Sequence, residues 1–286
     1  EMSDSHTGFT KAYEDAAKAG TDVVGNKEVG IVVKHSQLVE IDPFLPFREL
    51  VRDTVLAGLD GEGEKKVLDV GCATGRDLSL LAEKKENLAI YGVDLLAPQL
   101  VEARKLFPNG HFVEGNLAEG MEYSDGFFDS VQASRLFIHI PDFEKGINEM
   151  LRVLKSGGIA VFGEGDLGTQ TVRSIDPKFT KCVEEMNDHV INMCANPDAA
   201  FKVFHFLRNN QFVNPDSVVI KASAFCFPKA SVLSDDQLKP YMQKLVDRKM
   251  LAEDDVNYFL SHKDNVEKKG GILLSGNIFV ISCRKK

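Results

Sequence analysis

The chain has 286 residues, enough to bury a substantial core, and its 43% hydrophobic and 27% charged residues are typical of a globular protein rather than a disordered one. Its formal net charge of −9 disfavours binding to nucleic-acid phosphates, so we expect no nucleic-acid partner. Five scattered cysteines without a C-x-x-C pair indicate neither a disulfide framework nor a metal site, and we expect no bound metal.

No apolar run reaches the roughly 20 residues that span a bilayer, and the first residues lack the basic-then-apolar layout of a secretion signal. We therefore expect no transmembrane segment. Together with the odd number and wide spacing of the cysteines, this predicts a cytoplasmic location. The sequence leaves open whether the protein is a monomer or a homodimer.

Residues 1–62 are predicted to be helical. Apolar residues such as Phe9 and Tyr13 recur at helical spacing, and a second helix is predicted to begin near Asp42-Pro43, because proline suits a first helical turn. We expect this region to form an N-terminal helical cap over a ligand site. The alternative is a helical layer that only packs on the sheet.

From Lys65 onwards, strand patterns alternate with helix patterns, which predicts a parallel sheet with right-handed crossovers. The predicted strands are 67–70, 88–93, 111–114, 128–133 and 159–162, and the predicted helices are 77–85, 98–106 and 143–154. We assign residues 63–165 to this Rossmann-like core.

The alternation is lost after the core. Residues 166–212 and 235–262 show helical spacing, whereas 218–225 and 272–283 resemble strands. We therefore assign residues 166–286 to helical insertions plus the last two strands of the sheet. Substrate contacts are expected in these insertions.

A glycine-containing turn follows the first core strand, in the segment Asp69-Val70-Gly71-Cys72-Ala73-Thr74-Gly75. Glycine adopts backbone angles closed to other residues and lets a ligand approach the start of the next helix, where amide groups point outward. The candidate binding residues here are Asp69, Gly71, Cys72, Ala73 and Gly75. The alternative is an ordinary strand-to-helix turn that binds nothing.

Asp94 ends the second core strand, 25 residues beyond Asp69. An acid at this position in an α/β sheet accepts hydrogen bonds from the hydroxyls of a ribose. Its alternative role is to cap the helix that follows. Leu95 and Gln99, at the start of that helix, are expected to lie close to the same ligand.

The third core strand ends in Glu114-Gly115-Asn116-Leu117. The amide of Asn116 could hydrogen-bond the edge of an adenine, while Leu117 packs on its face. These two residues complete the expected nucleoside site.

Four segments together resemble a known family: VLDVGCATG at 67–75, GVD at 92–94, EGN at 114–116 and LRVLKSGG at 151–158. They are similar to class I S-adenosylmethionine-dependent methyltransferases, most closely to the small-molecule branch with quinone and natural-product methyltransferases. The resemblance covers about residues 45–165. It implies an α/β fold with a Rossmann-like, seven-stranded, mostly parallel sheet whose last strand is antiparallel. It also implies S-adenosylmethionine as the cofactor, bound at the carboxyl ends of the first strands.

Two positions depart from the commonest pattern of this family. Ala73 replaces the middle glycine of the loop, and Asn116 stands where an acid is often found. A nicotinamide dinucleotide would favour G-x-G-x-x-G instead. The resemblance implies that Asp69 lies near the ammonium end of the methionine moiety of the cofactor.

A sulfonium already carries a good leaving group, so the protein mainly aligns a nucleophile and excludes water. A base is needed only for a protonated nucleophile, and the candidates are His139, Glu164 and Asp166. His139 could instead be a packing residue, and the two acids could bind an amine or cap a helix. Ser134 and Arg135, after the fourth strand, are further candidates for cofactor binding.

The expected function is methyl transfer to O, N or C of a small, apolar or aromatic metabolite. One alternative keeps the bound cofactor but catalyses a cyclisation or rearrangement, as the resemblance allows. Another is a non-catalytic methyltransferase-like subunit that binds a partner protein.

Overall fold

The computed structural model describes residues 8–19, 23–26, 31–34, 44–227, 235–247 and 249–286. The helices are α1 Gly8–Lys18, α2 Leu45–Gly58, α3 Arg76–Ala82, α4 Ala97–Leu106, α5 Phe143–Val153, α6 Pro177–Met193, α7 Ala199–Asn209, α8 Asp235–Asp247 and α9 Glu253–Lys268. The strands are β1 Val23–Asn26, β2 Ile31–Lys34, β3 Lys65–Val70, β4 Leu88–Asp94, β5 His111–Glu114, β6 Phe128–Ser134, β7 Leu154–Ser174, β8 Val219–Phe227 and β9 Ile272–Arg284.

Seven strands form one sheet in the order β5-β4-β3-β6-β7-β9-β8. The neighbours from β5 to β7 pair in parallel, whereas β9 runs antiparallel to both β7 and β8. This arrangement confirms the predicted fold class, including the antiparallel last strand. The strand order reverses beside β3, and ligands of open α/β sheets bind in the crevice at such a reversal.

The first core strand shows why the sheet forms here. Its last four residues, from Val67 to Val70, are all buried, because helices cover both faces of a parallel sheet. Buried side chains pack on both of its faces: one cluster includes Leu68 and Val70, and another includes Val67. The carboxyl ends of β3, β4, β5 and β6 therefore meet at one well-supported edge.

The N-terminal region differs from the all-helical prediction. Residues 23–26 and 31–34 form an antiparallel two-stranded sheet, so the prediction is wrong for these two segments. The β-branched residues concentrated in both segments favour strands over helices. The predicted helix start at Asp42-Pro43 lies outside the described residues, and α2 begins at Leu45 with a proline in its first turn.

The fifth core strand is much longer than predicted. β7 continues to Ser174, so residues 166–174 are strand and not helix. The reason is its long-range pairing with β9, which extends to Ser174 opposite Ile272. The predicted boundary after residue 165 therefore falls inside β7.

The helices after β7 build a second core. Phe179 and Phe259 stack at 4.8 Å between ring centroids, within an apolar cluster drawn from α6, α8, α9 and the distal ends of β7 and β9. The polar stretch predicted over 235–262 forms two helices rather than one. Within the described ranges, no helix is both long and apolar enough to cross a membrane.

Candidate functional site

The loop between β3 and α3 adopts a conformation that suits glycine. Gly71 has a φ of 73° and Gly75 a φ of 80°, both in the left-handed region that disfavours side chains. Ala73 takes a φ of 46° despite its Cβ. The amides of Gly71 and Cys72 donate to Val93 O at 2.8 and 3.1 Å, which fastens the loop to β4.

Asp94 joins this loop to the end of β4. Its Oδ2 accepts the amide of Ala73 at 2.8 Å, and its Oδ1 accepts the amide of Leu96 at 2.8 Å. Burial raises the pKa of Asp94, and the amide hydrogen bonds oppose that rise. Because each carboxylate oxygen can accept more than one hydrogen bond, both retain capacity for a further donor.

The segment after β5 forms a short capped turn. Asn116 Oδ1 accepts the amide of Ala118 at 3.0 Å, and its Nδ2 donates to Glu119 Oε1 at 3.3 Å. Leu117 is buried and packs close to Gly146 of α5. The turn therefore presents one amide and one apolar side chain beside the end of β4.

These segments line a cavity of about 530 Å³ at the carboxyl edge of the sheet. That volume lies in the range of small-molecule sites. The predicted residues in its wall are Gly71, Cys72, Ala73, Asp94, Leu95, Asn116, Leu117, Ser134, Arg135 and His139. The structure thus brings together ten of the fifteen predicted site residues.

The other five do not line this cavity: Asp69, Gly75, Gln99, Glu164 and Asp166. Asp69 is 2% exposed and lies behind the loop, where burial and the charge of Asp77 raise its pKa well above the ordinary range. Gly75 is the residue before α3. Gln99 is buried on α4, and neither atom of its amide has a hydrogen-bond partner.

An ion pair ties the N-terminal region to the same edge. Asp77, in the first turn of α3, lines the cavity, and the guanidinium of Arg48 on α2 donates to its carboxylate. Arg48 is only 5% exposed. A residue outside the loop motif therefore sets the position of a cavity carboxylate.

The turn between β6 and α5 forms the next part of the wall. Arg135 has a φ of 55°, and its amide donates to Gly163 O at 2.7 Å. Its guanidinium lies 5.4 Å from the ring centroid of Phe44. The imidazole of His139 lies 4.9 Å from the ring of Tyr13, between centroids.

Tyr13 and Glu14 of α1 also line the cavity, which sequence reasoning did not single out as site residues. Burial and the charge of Asp94 raise the pKa of the Tyr13 phenol. The available signal was the helical spacing of Tyr13 in a segment expected to cover the loop. That spacing indicates a buried face but not what the face contacts.

Glu164 lies behind the cavity wall, fully buried, directly after the part of β7 that pairs with β6. Its Oε1 accepts the amides of Leu136 and Phe137, each at 2.9 Å. Burial raises its pKa to about 7, and these hydrogen bonds oppose the rise. Asp166 lies where the pairing of β7 and β9 changes register, and its Oδ1 accepts the amide of Gly168 at 3.1 Å.

Asn196 is a second residue behind the wall, and it is not among the site residues that the sequence predicts. It is 4% exposed, and its Nδ2 donates to Phe137 O at 3.0 Å and to Ile140 O at 2.7 Å. Among described residues, none beyond Asp142 lines the cavity. The expected substrate contacts in the later insertions are therefore not found in the described parts of those insertions.

The described cysteines are unpaired, and Cys72 in the cavity wall is a neutral thiol because burial raises its pKa. Within the described ranges, no group of three or more His, Cys, Asp or Glu side chains could hold a metal ion. The polar side chains of the cavity wall are carboxylates, guanidinium groups, an imidazole, an amide, a phenol, two hydroxyls and the Cys72 thiol.

The family model "Methyltransferase domain" matches residues 62–211, just over half of the chain, and the chain belongs to this family. It is 41% identical over 102 residues to a demethylmenaquinone methyltransferase of Chlorobaculum tepidum and 34% identical over 113 residues to a trans-aconitate 2-methyltransferase of Rhodopseudomonas palustris. These alignments cover 36% and 40% of this chain.

Each alignment covers 41% of the length of its curated relative. The fold also matches the crystal structure of the YcgJ protein of Bacillus subtilis, with a TM-score of 0.54 and 16% identity, over 83% of this chain and 99% of that one. The family match thus confirms the resemblance to methyltransferases, and the strand order confirms the sheet that it implied.

Proposed function

We propose that this protein transfers a methyl group from S-adenosylmethionine to a small-molecule acceptor. The observation that carries the proposal is the position of Asp94: its carboxylate ends β4 in the wall of the 530 Å³ cavity, fastened to the glycine loop by the amide of Ala73. Membership of the methyltransferase family supports the same conclusion.

The residues present fit this cofactor. Both oxygens of Asp94 retain acceptor capacity, which suits the two adjacent hydroxyls of a ribose. Leu95 and Leu117 offer apolar surfaces for the two faces of an adenine, and Asn116 offers an amide for its edge. Gly71 leaves space for the side chain of Leu136 in the cavity wall, since a Cβ there would lie 3.0 Å from Leu136 Cδ1.

When bound, S-adenosylmethionine supplies a methyl group activated by a sulfonium. The protein then needs to hold the acceptor and to exclude water. Apolar side chains at the β6–α5 end of the cavity, Leu136, Ile138 and Ile140, supply a water-poor wall. His139 in the same wall could accept a proton from a hydroxyl or amine acceptor at a ring nitrogen.

The acceptor class proposed here is a small, apolar or aromatic metabolite, methylated on O, N or C. The apolar wall around His139 and Tyr13 supports an acceptor with an extended apolar part. The relatives named above act on a quinone precursor and on trans-aconitate according to their names, and both are small molecules.

The test combines calorimetry with a product assay. We expect S-adenosylhomocysteine to bind the full chain with a Kd in the micromolar range. Incubation with methyl-labelled S-adenosylmethionine and a panel of quinols, phenols, amines and carboxylic acids should yield labelled product. Absence of S-adenosylhomocysteine binding contradicts the proposal. Product of unchanged mass with intact cofactor would select a rearrangement instead.

A further inference from the structure

The turn between β6 and α5, residues 135–140, presents Arg135 and His139 to the cavity but is held from behind. Its centre is a single turn of 3-10 helix, Phe137–His139. A helix this short leaves nearly all of its main-chain amides and carbonyls without partners inside the helix. Buried main-chain groups without partners are costly, so other residues must supply them.

Glu164 supplies the acceptor at the start of this turn. Its Oε1 accepts the amides of Leu136 and Phe137, each at 2.9 Å, and the side chain is fully buried. The preceding residue of β7, Gly163, accepts the amide of Arg135 at 2.7 Å.

Asn196 supplies donors at the other end. Its Nδ2 donates to Phe137 O at 3.0 Å and to Ile140 O at 2.7 Å, and its main-chain amide donates to Ile138 O at 3.1 Å. Lys202 Nζ donates to Asn196 Oδ1 at 2.9 Å, so the oxygen of the side chain faces the lysine and the NH₂ group faces the turn.

Neither Glu164 nor Asn196 lines the cavity, whereas Arg135 and His139 do. We propose that Glu164 and Asn196 are positioning residues that clamp the β6–α5 turn from its two ends and so fix the orientation of Arg135 and His139 in the site. In this proposal Glu164 holds the turn, and it is not the general base for which the sequence made it a candidate. This inference rests on the proposed function, because it assigns the turn to the methyl-transfer site.

The test uses Glu164→Ala, Glu164→Gln and Asn196→Ala in the full chain. In Glu164→Ala we expect the amides of Leu136 and Phe137 to exchange with deuterium at least about tenfold faster, because two bonds to a carboxyl group are lost. The imidazole NMR signals of His139, assigned with a His139→Gln variant, should shift in both alanine variants. Glu164→Gln keeps an oxygen acceptor, so it should restore slow exchange and the wild-type His139 signals.

Two matched controls separate clamping from general loss of stability. Glu184 is exposed on α6, and Asn210 donates its Nδ2 to the side chain of Asn148, away from the turn. Glu184→Ala and Asn210→Ala should leave the His139 signals unchanged. Binding of S-adenosylhomocysteine should stay within about threefold of wild type in these two control variants, because neither residue lines the cavity.

Two results would overturn the proposal: a folded Glu164→Ala protein with unchanged amide exchange and His139 signals, or Glu164→Gln behaving as Glu164→Ala. If Glu164→Ala does not fold, Glu164→Gln and Asn196→Ala decide the question through the His139 signals. Failure of wild type to bind S-adenosylhomocysteine contradicts the proposed function alone, since the exchange and NMR readouts require no cofactor.

Discussion

Two parts of the cavity wall are built in different ways. The glycine loop is held within one strand–helix–strand unit, since Asp94, at the end of the next strand β4, accepts the amide of Ala73, 21 residues away, and that of Leu96, two residues away. The β6–α5 turn is held by Glu164, 28 residues from Leu136, and by Asn196, 59 residues from Phe137. The first part is a local motif that a sequence displays, whereas the second depends on the assembled fold.

The largest effect is expected at the local motif. Asp94→Ala should weaken binding of S-adenosylhomocysteine at least about 100-fold, because it removes an acceptor for two ribose hydroxyls and each hydrogen bond to a charged group contributes about 1.5–3 kcal/mol. Calorimetry measures the change. The loss should exceed that from alanine at His139, Glu164 or Asp166.

Asp94→Asn is the matched control, since it preserves shape and keeps one oxygen. We expect an affinity between those of wild type and Asp94→Ala, because the single oxygen of the asparagine amide can accept a hydrogen bond from only one of the two ribose hydroxyls. Equal affinities of wild type and Asp94→Ala would refute the ribose assignment. They would also remove the observation that carries the proposed function.

The next largest effect concerns the turn. Glu164 has a folded-state pKa of about 7, against 4.5 for the ordinary carboxyl group, because burial outweighs the amide bonds and the nearby charge of Arg135. Between these pH values the unfolded chain has lost its proton while the folded chain keeps it. The contribution of Glu164 to stability is therefore complete below pH 4.5 and is lost as the pH rises through 7.

Glu164→Gln cannot titrate, so its free energy of unfolding relative to wild type should rise by roughly 2–3 kcal/mol between pH 5 and pH 8. Chemical denaturation at several pH values measures the difference. Glu184→Gln, on the exposed face of α6, serves as the control. A constant difference between Glu164→Gln and wild type across this range would contradict the burial argument.

The contrast between motif and assembly also explains what the sequence could predict. The strand patterns predict the bounds of β3 to β6 to within a few residues. They also predict the glycine loop and Asp94, because these residues lie at the ends of β3 and β4. The extension of β7 depends on pairing with β9, for example Val172 with Leu274, about 100 residues away. The role of Asn196 could not be predicted either, because nothing in the sequence Asn196-Pro197 shows to which main-chain carbonyls its side-chain amide will donate.

A smaller effect is expected from Gly71→Ala. The left-handed φ of 73° costs a side chain about 1–2 kcal/mol, and the new Cβ would lie 3.0 Å from Leu136 Cδ1. Gly63→Ala is the control, because Gly63 has a φ of 89° but nothing within 4 Å of an added Cβ. Both variants should lose stability in denaturation, and Gly71→Ala alone should also lose affinity for S-adenosylhomocysteine. Equal affinity in the two would show that the loop does not contact the ligand.

The smallest effect separates capping from binding in two otherwise similar asparagines. Asn116 caps one 3-10 turn through the amide of Ala118 at 3.0 Å, and Asn214 caps another through the amide of Asp216 at 3.1 Å. Alanine at either position should cost about 1 kcal/mol of stability, the usual value for a lost cap. Of these two residues only Asn116 lines the cavity. Only Asn116→Ala should therefore weaken the binding of S-adenosylhomocysteine, by about three- to tenfold. Equal binding of S-adenosylhomocysteine by both variants would mean that Asn116 shapes the cavity wall without contacting the adenine. The contacts between the local motif and the ligand would then come from Asp94 and the glycine loop.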